Sequence, residues 1–248
     1  MVKLFFLLSL FVFFSQNVIA FEILTQTRIH NKILDSYYQE IIAPMYQSIG
    51  VKPEFKYITE KEINEKIKTN DFDAIGNKIS ESGLISNALE IPYSLYNDYN
   101  VHLYQLMESE PKKIHIAVGL IAGNYAHQKT VISNKALFSK TKSFTNYDDL
   151  VAALTKNEIS GILLTDLEFE FYLKKYNHLL SPTHKNLKKF KISHFINIKH
   201  KSIYDKILPL FKKSSDEGKL DYITFYKDYI NNRKLEDLPE QKKSDQKN

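Results

Sequence analysis

Val51–Gly76 reads VKPEFKYITEKEINEKIKTNDFDAIG, and it decides the fold class. Val51–Ile58 reads as an extended strand. Thr59-Glu-Lys-Glu62 follows as a capping box, a hydroxyl with a glutamate three residues later. It opens a helix whose apolar positions are Ile63 and Ile67, and Phe72–Gly76 returns as a compact strand. Upstream, Phe21–Gln26 alternates as a first strand, and Leu34, Tyr38, Ile41, Met45 and Ile49 recur at helical spacing before the stop at Gly50. Pro44 lies inside that helix and predicts a kink. Strand, helix, strand, helix and strand with short connections predict a parallel sheet covered by helices.

A second set starts after Glu110-Pro111. Ile114–Val118 is its first strand. Thr145 or Asn146 caps a helix running to about Asn157, and Gly161–Asp166 is a buried strand ending in a carboxylate. Leu167–Tyr176 is a further helix. Pro182–Phe190 is polar and basic, and reads as a linker or hinge. Ile192–Ile198 alternates as a strand, and two helices follow, Ser202–Ser214 and Leu220–Ile230. In residues 231–248 Lys, Glu, Asp and Gln dominate with hardly any apolar residue, and the stretch reads as a disordered tail.

Composition sets the outer limits. The 248 residues are 43% hydrophobic and 25% charged, enough for one large core or two smaller ones. With no cysteine there is no thiolate metal site, no cysteine nucleophile and no lipidated anchor. The net charge of +5 comes from lysines interleaved with acids, so it reads as a solvated surface and not a nucleic-acid stripe. No histidines fall at metal spacing, and no serine-hydrolase elbow or phosphate loop is present, so neither metal nor cofactor is expected.

Residues 1–20 read as an address. Lys3 is followed by an apolar run, Leu4–Phe14, broken only by Ser9. At about 11 residues it is too short to span a bilayer. Val18 and Ala20 then supply small residues at the cleavage positions, so the mature chain is expected to begin at Phe21 in the periplasm. The alternative is an N-terminal anchor that is never cleaved.

The order of these segments resembles the extracytoplasmic solute-binding proteins of family 3, with the type 2 periplasmic-binding fold. The resemblance is carried by four pieces: Ile63 through Asp73-Ala-Ile; Ser80-Glu-Ser82 with Leu89-Glu-Ile-Pro92-Tyr93; Leu150–Leu154 through Gly161–Asp166; and Ile198–Ser202 through Gly218–Ile223, ending at Tyr226–Tyr229. It implies an α/β, two-lobed architecture, each lobe a mostly parallel sheet flanked by helices. Residues 21–103 and 190–230 would form lobe 1, and residues 104–189 lobe 2 with the hinge segments. Two crossovers would join them, near Tyr99–Met107 and Ser181–Ile192. It further implies hinge closure on a small amino-acid-like or other metabolite, a monomer, and a membrane permease or sensor as partner. Ser80 and Ser82 would hold the hydroxyl positions of the first-lobe ligand loop. The position of the arginine that pairs the ligand carboxylate is Ile85. Asp166 falls where the family places the carboxylate that holds an α-amino group.

The residues themselves leave alternatives. Arg28, after the first strand, is an anion clamp or a surface residue paired with Asp35 or Glu40. Asp166 either reaches the ligand or caps the helix that starts there. Gly123 and Asn124 either offer backbone N–H groups to an anion or form a turn that needs glycine. Tyr93, with Tyr96 and Tyr99, stacks on a ligand or packs internally. The expected function is non-enzymatic capture of a small polar or charged metabolite. The competing readings are a dehydratase-like enzyme on the same scaffold and an interaction module without a ligand.

Overall fold

In the computed structural model, residues 20–26, 32–82, 85–96, 99–107 and 115–232 are described. Arg28, most of the N-terminal leader and the tail from residue 233 lie outside them. The chain divides into two units. The first holds the described residues of Met1–Lys78, Gly83–Leu95 and Ser193–Asn248, and the second those of Ile79–Ser82 and Tyr96–Ile192.

The first unit is built on a five-stranded sheet in the order β2-β1-β3-β10-β4. Its strands are β1 (Ala20–Gln26), β2 (Lys52–Ile58), β3 (Ala74–Ile79), β4 (Ala88–Glu90) and β10 (Ile192–Asn197). β1 pairs in parallel with both β2 and β3. β10 runs the other way, as the Ser80 N–H to Lys191 O and Asn197 N–H to Asp73 O bonds require. The second unit repeats the plan as β7-β6-β8-β5-β9. Here β5 is Tyr99–Leu106, β6 Ile116–Ile121, β7 Phe138–Phe144, β8 Gly161–Thr165 and β9 Leu180–Phe190. β6 is parallel to β7 and β8, while β5 is antiparallel to β8 and β9. In each sheet one strand alone runs against the others, so both sheets are mixed with a parallel core.

Between β1 and β2 the helical segment comprises α1 (Lys32–Tyr37), a π-helical turn (Tyr38–Ile42) and α2 (Ala43–Ser48). The expected kink at Pro44 takes the form of this wide turn. Ala43 N–H bonds to Tyr38 O, five residues back, and Pro44 stands at the start of α2, where its missing N–H is not needed. The turn rotates the helix so that Tyr37, Tyr38, Ile42, Ala43 and Tyr46 are all buried. α3 (Glu60–Thr69) opens with the expected capping box. Thr59 Oγ1 accepts from Glu62 N–H at 3.3 Å, and Glu62 Oε2 accepts from Thr59 N–H at 2.7 Å. Its Ile63 and Ile67 close a core cluster with Leu24, Phe72, Ile75 and Phe195.

Two strands of the second unit escape a sequence reading. The linker expected at Pro182–Phe190 is the edge strand β9. Paired only with β5, it leaves Lys185 and Lys189 exposed, and its register shifts beside Val101 and Leu103. β7, the opposite edge, is FSKTKSF with every interior residue exposed. Lysines on such edges also discourage pairing with another chain. The helices are α4 (Tyr125–Ser133), α5 (Tyr147–Thr155) and the single turn α6 (Asp166–Glu168), continued by a π-helical turn over Phe169–Leu173. α5 is capped by Asn146, whose side chain accepts from Asp149 N–H at 2.8 Å. α7 (Lys201–Asp216) and α8 (Tyr222–Asn232) complete the first unit. No helix among the described residues is long and apolar enough to cross a membrane.

The first unit's interior turns on His194 of β10, which is fully buried. A carbonyl only accepts, so His194 Nδ1–H donates to Gly76 O at 3.2 Å, and Nε2 accepts from the Tyr46 hydroxyl at 2.6 Å. The ring stacks on Phe211 at 5.2 Å. Burial lowers the His194 pKa to about 4. Gly76 is equally constrained, since a Cβ there would lie 2.6 Å from Thr25 Cγ2 and 2.7 Å from the Tyr38 hydroxyl.

Two stability effects are expected. As pH falls from about 6.5, where an unfolded histidine titrates, toward about 4, the unfolded chain takes up a proton that buried His194 refuses. His194 therefore removes stability on the order of 3 kcal/mol across that window. Urea melts at pH 7 and pH 4 should show a larger loss in wild type than in His194→Gln. Gly76→Ala should cost about 1–3 kcal/mol in the same melts at pH 7, because the packed side chains of Thr25 and Tyr38 must yield.

Candidate functional site

In a sheet with parallel strands, ligand chemistry gathers beyond the carboxyl ends of those strands. In the second unit that edge is formed by the ends of β6 and β8 and, because it runs antiparallel, by the start of β5. Thr165 is the last residue of β8 and caps α6. Its hydroxyl accepts from Glu168 N–H at 3.2 Å, and Glu168 Oε2 accepts from Thr165 N–H at 2.8 Å. The cap being Thr165, Asp166 is released from that role and turns its carboxylate toward β5.

Asp166 is held from behind. Oδ1 accepts from His102 Nε2–H at 2.8 Å, and Oδ2 accepts from Asn100 N–H at 3.1 Å and Asn100 Nδ2–H at 3.3 Å. The His102 tautomer follows from its other nitrogen, which accepts the Asn186 N–H at 3.1 Å. Asn186 reaches that position in a left-handed conformation, φ 53°. The Asp166 side chain remains 35% exposed, so the carboxylate is oriented without being closed off. Partial burial pushes its pKa up, but the hydrogen bonds from His102 and Asn100 outweigh that and leave it lowered. The group is an oriented anion at neutral pH.

Glu168, two residues on, organises the loops around it. It is buried, yet four donors reach it: His127 Nε2 at 2.7 Å and Thr165 N–H at 2.8 Å on Oε2, Asn124 Nδ2 and the Tyr147 hydroxyl at 2.7 Å on Oε1. Burial alone would raise its pKa. His127 beside it and the hydrogen bonds from Thr165 and Tyr147 prevail and hold it at about 2. The other nitrogen of His127 accepts Ile121 N–H at 3.3 Å. One carboxylate thus joins the ends of β6 and β8 to the first turns of α4 and α5.

Asn124 is spent within this arrangement, its Oδ1 capping α4 by accepting from His127 N–H at 3.3 Å while Nδ2 serves Glu168. Gly123 stands at φ 73°, with open space where a Cβ would be, so the turn uses glycine for its backbone conformation. Around it, Ala122 N–H bonds to Phe144 O and Asn124 N–H to Ile121 O, so those two amides are directed inward.

Gly123, Asn124 and Asp166 therefore share one edge of the second unit. Ser80 belongs to the same unit, in the 3-10 turn Ser80–Ser82 after β3; its N–H and hydroxyl both face Lys191 O, at 3.0 and 3.4 Å. The neighbouring Glu81 pairs with Lys188 at 3.3 Å, and its carbonyl accepts from the Tyr125 hydroxyl at 2.9 Å. Tyr93 lies in the first unit, half-buried in the bend after β4. Arg28 and the Ser82 side chain lie outside the described residues. The sequence reading did not single out Asn100, His102, His127, Tyr147 or Glu168. Thr165-x-x-Glu168 was the one local signal available, a second capping box.

No family model matches the chain, and no curated protein does. Solved structures do. The chain superposes on the probable amino-acid ABC transporter extracellular-binding protein YtmK of Bacillus subtilis with TM-score 0.65 and 13% identity, covering 87% of this chain and 99% of that one. The BvgS periplasmic VFT2 domain of Bordetella pertussis gives TM-score 0.62 and 11% identity over 84% and 93%. An arginine third transport system periplasmic binding protein of Legionella pneumophila gives 0.60 and 14% over 85% and 99%. The two mixed sheets and their flanking helices are those of these neighbours, and the chain has the two-lobed periplasmic-binding-protein fold.

Proposed function

We propose that this chain is an exported solute-binding protein that captures a small polar or charged metabolite, with Asp166 as an anchor for the ligand. One observation carries the reading: a carboxylate at the carboxyl edge of a sheet, lowered in pKa, oriented by His102 and Asn100, and still about one-third exposed. Structural neighbours named for arginine binding and for amino-acid ABC transport support a solute-binding role on this fold. The partner is an importer permease or a membrane sensor. Export follows from the leader, and cleavage after Ala20 leaves Phe21, which is buried against Tyr46, at the head of β1.

A binder accounts for the histidines better than an enzyme does. In each of the two pairs at this edge, His102–Asp166 and His127–Glu168, one ring nitrogen faces the carboxylate and the other accepts a backbone N–H. Neither ring has a nitrogen left to take a proton from a substrate.

The test is a thermal-shift screen of the mature chain against amino acids, polyamines, dicarboxylates and aromatic acids. A ligand at 100 times its Kd adds about 2.7 kcal/mol and raises Tm visibly. Asp166→Asn should weaken the responding ligand about 10–100-fold. No response across the library would overturn the reading.

A further inference from the structure

The charge of the ligand is written in where the chain places its cations, an inference that rests on Asp166 as a ligand anchor. Lys and Arg number 34 in 248 residues, about one in seven. Yet residues 79–111 contain none, and neither do residues 114–128, 143–155 or 157–173. In the second unit those stretches include the turn after β3 and the segments that follow β6, β7 and β8, and at the chain's average the four stretches together would carry about ten cations. They carry eleven acids instead, Glu81 and Asp166 among them. The basic residue just upstream is no substitute: Lys78 is buried, and its ammonium donates to Asn64 Oδ1 at 2.9 Å with Glu60 at 3.8 Å. Ile85 in the same stretch packs against the apolar cluster of Leu24, Ile63, Phe72 and Ile75.

A ligand carboxylate stripped of water needs a cation or several donors, and without them its desolvation costs several kcal/mol. An ammonium or guanidinium needs only an oriented carboxylate, and Asp166 is one. We infer that the ligand is an organic amine or guanidine that carries no carboxylate, the decarboxylated counterpart of a basic amino acid in charge and size. Two lysines of β9 could hold an acid group if the ligand has one: Lys188, paired with Glu81, and Lys189, in register with Asn100 of β5. Arg28, after β1, is the candidate from the sequence alone.

The experiment compares matched pairs on the mature wild-type chain by titration calorimetry: putrescine with ornithine, cadaverine with lysine, agmatine with arginine. At least one amine should bind 10-fold or more tightly than its amino-acid partner, and Asp166→Asn should weaken that binding about 10–100-fold. An amino acid binding as tightly as, or more tightly than, its amine overturns the inference, and Lys188→Ala, Lys189→Ala and Arg28→Ala then identify the acid clamp. Binding of other solutes but of neither set also overturns it and leaves the solute-binding role standing. Silence toward every solute overturns both.

Discussion

A carboxylate buried in a protein must be matched by donors or it costs several kcal/mol, and the second unit is arranged around meeting that demand at Glu168. Its four donors come from β8, from α4 and the loop before it, and from α5. None of these elements moves independently without leaving a buried charge short of a partner. The loop carrying Gly123 and the turn carrying Asp166 are therefore fixed in one frame, and the orientation of Asp166 by His102 and Asn100 is set against a rigid background.

The first unit answers a similar demand with a neutral group. His194 sits between Gly76 O and the Tyr46 hydroxyl, both nitrogens used, with Phe211 against its face. The Tyr46 hydroxyl is itself raised well above its ordinary pKa by burial, so it stays protonated and can donate. One unit thus has a charged polar centre, and the other a neutral one. This divides their sensitivities: acid strains the first through histidine protonation well before it reaches the low pKa of Glu168 in the second.

What could be read from sequence was what depends on neighbours in the chain. The capping box at Thr59 and Glu62, the apolar pair Ile63 and Ile67, the Asn146 cap and the apolar run ending at Asp166 are all settled within a few residues. β7 and β9 were not legible, because Ser-Lys-Thr-Lys-Ser and Thr-His-Lys-Asn-Leu-Lys-Lys have no alternation to show; they are strands because one neighbour supplies their hydrogen bonds. The site's organisers were hidden for a related reason. His102 meets Asp166 across 64 residues and His127 meets Glu168 across 41, separations that no local pattern encodes. Pro44 marks a disturbance in the helix from sequence alone, but whether the helix bends or widens there is settled by the tyrosines it must bury.

The place of β10 has a consequence for how the molecule comes into being. It lies inside the first sheet, between β3 and β4, yet it is made of residues 192–197. Three strands at the start of the polypeptide therefore wait, with His194's partners Tyr46 and Gly76 already present, for a segment that leaves the ribosome more than a hundred residues later. Until it arrives their apolar edge has no cover. The second unit is contiguous from β5 to β9 and has no such delay, so the half that is translated later can finish first.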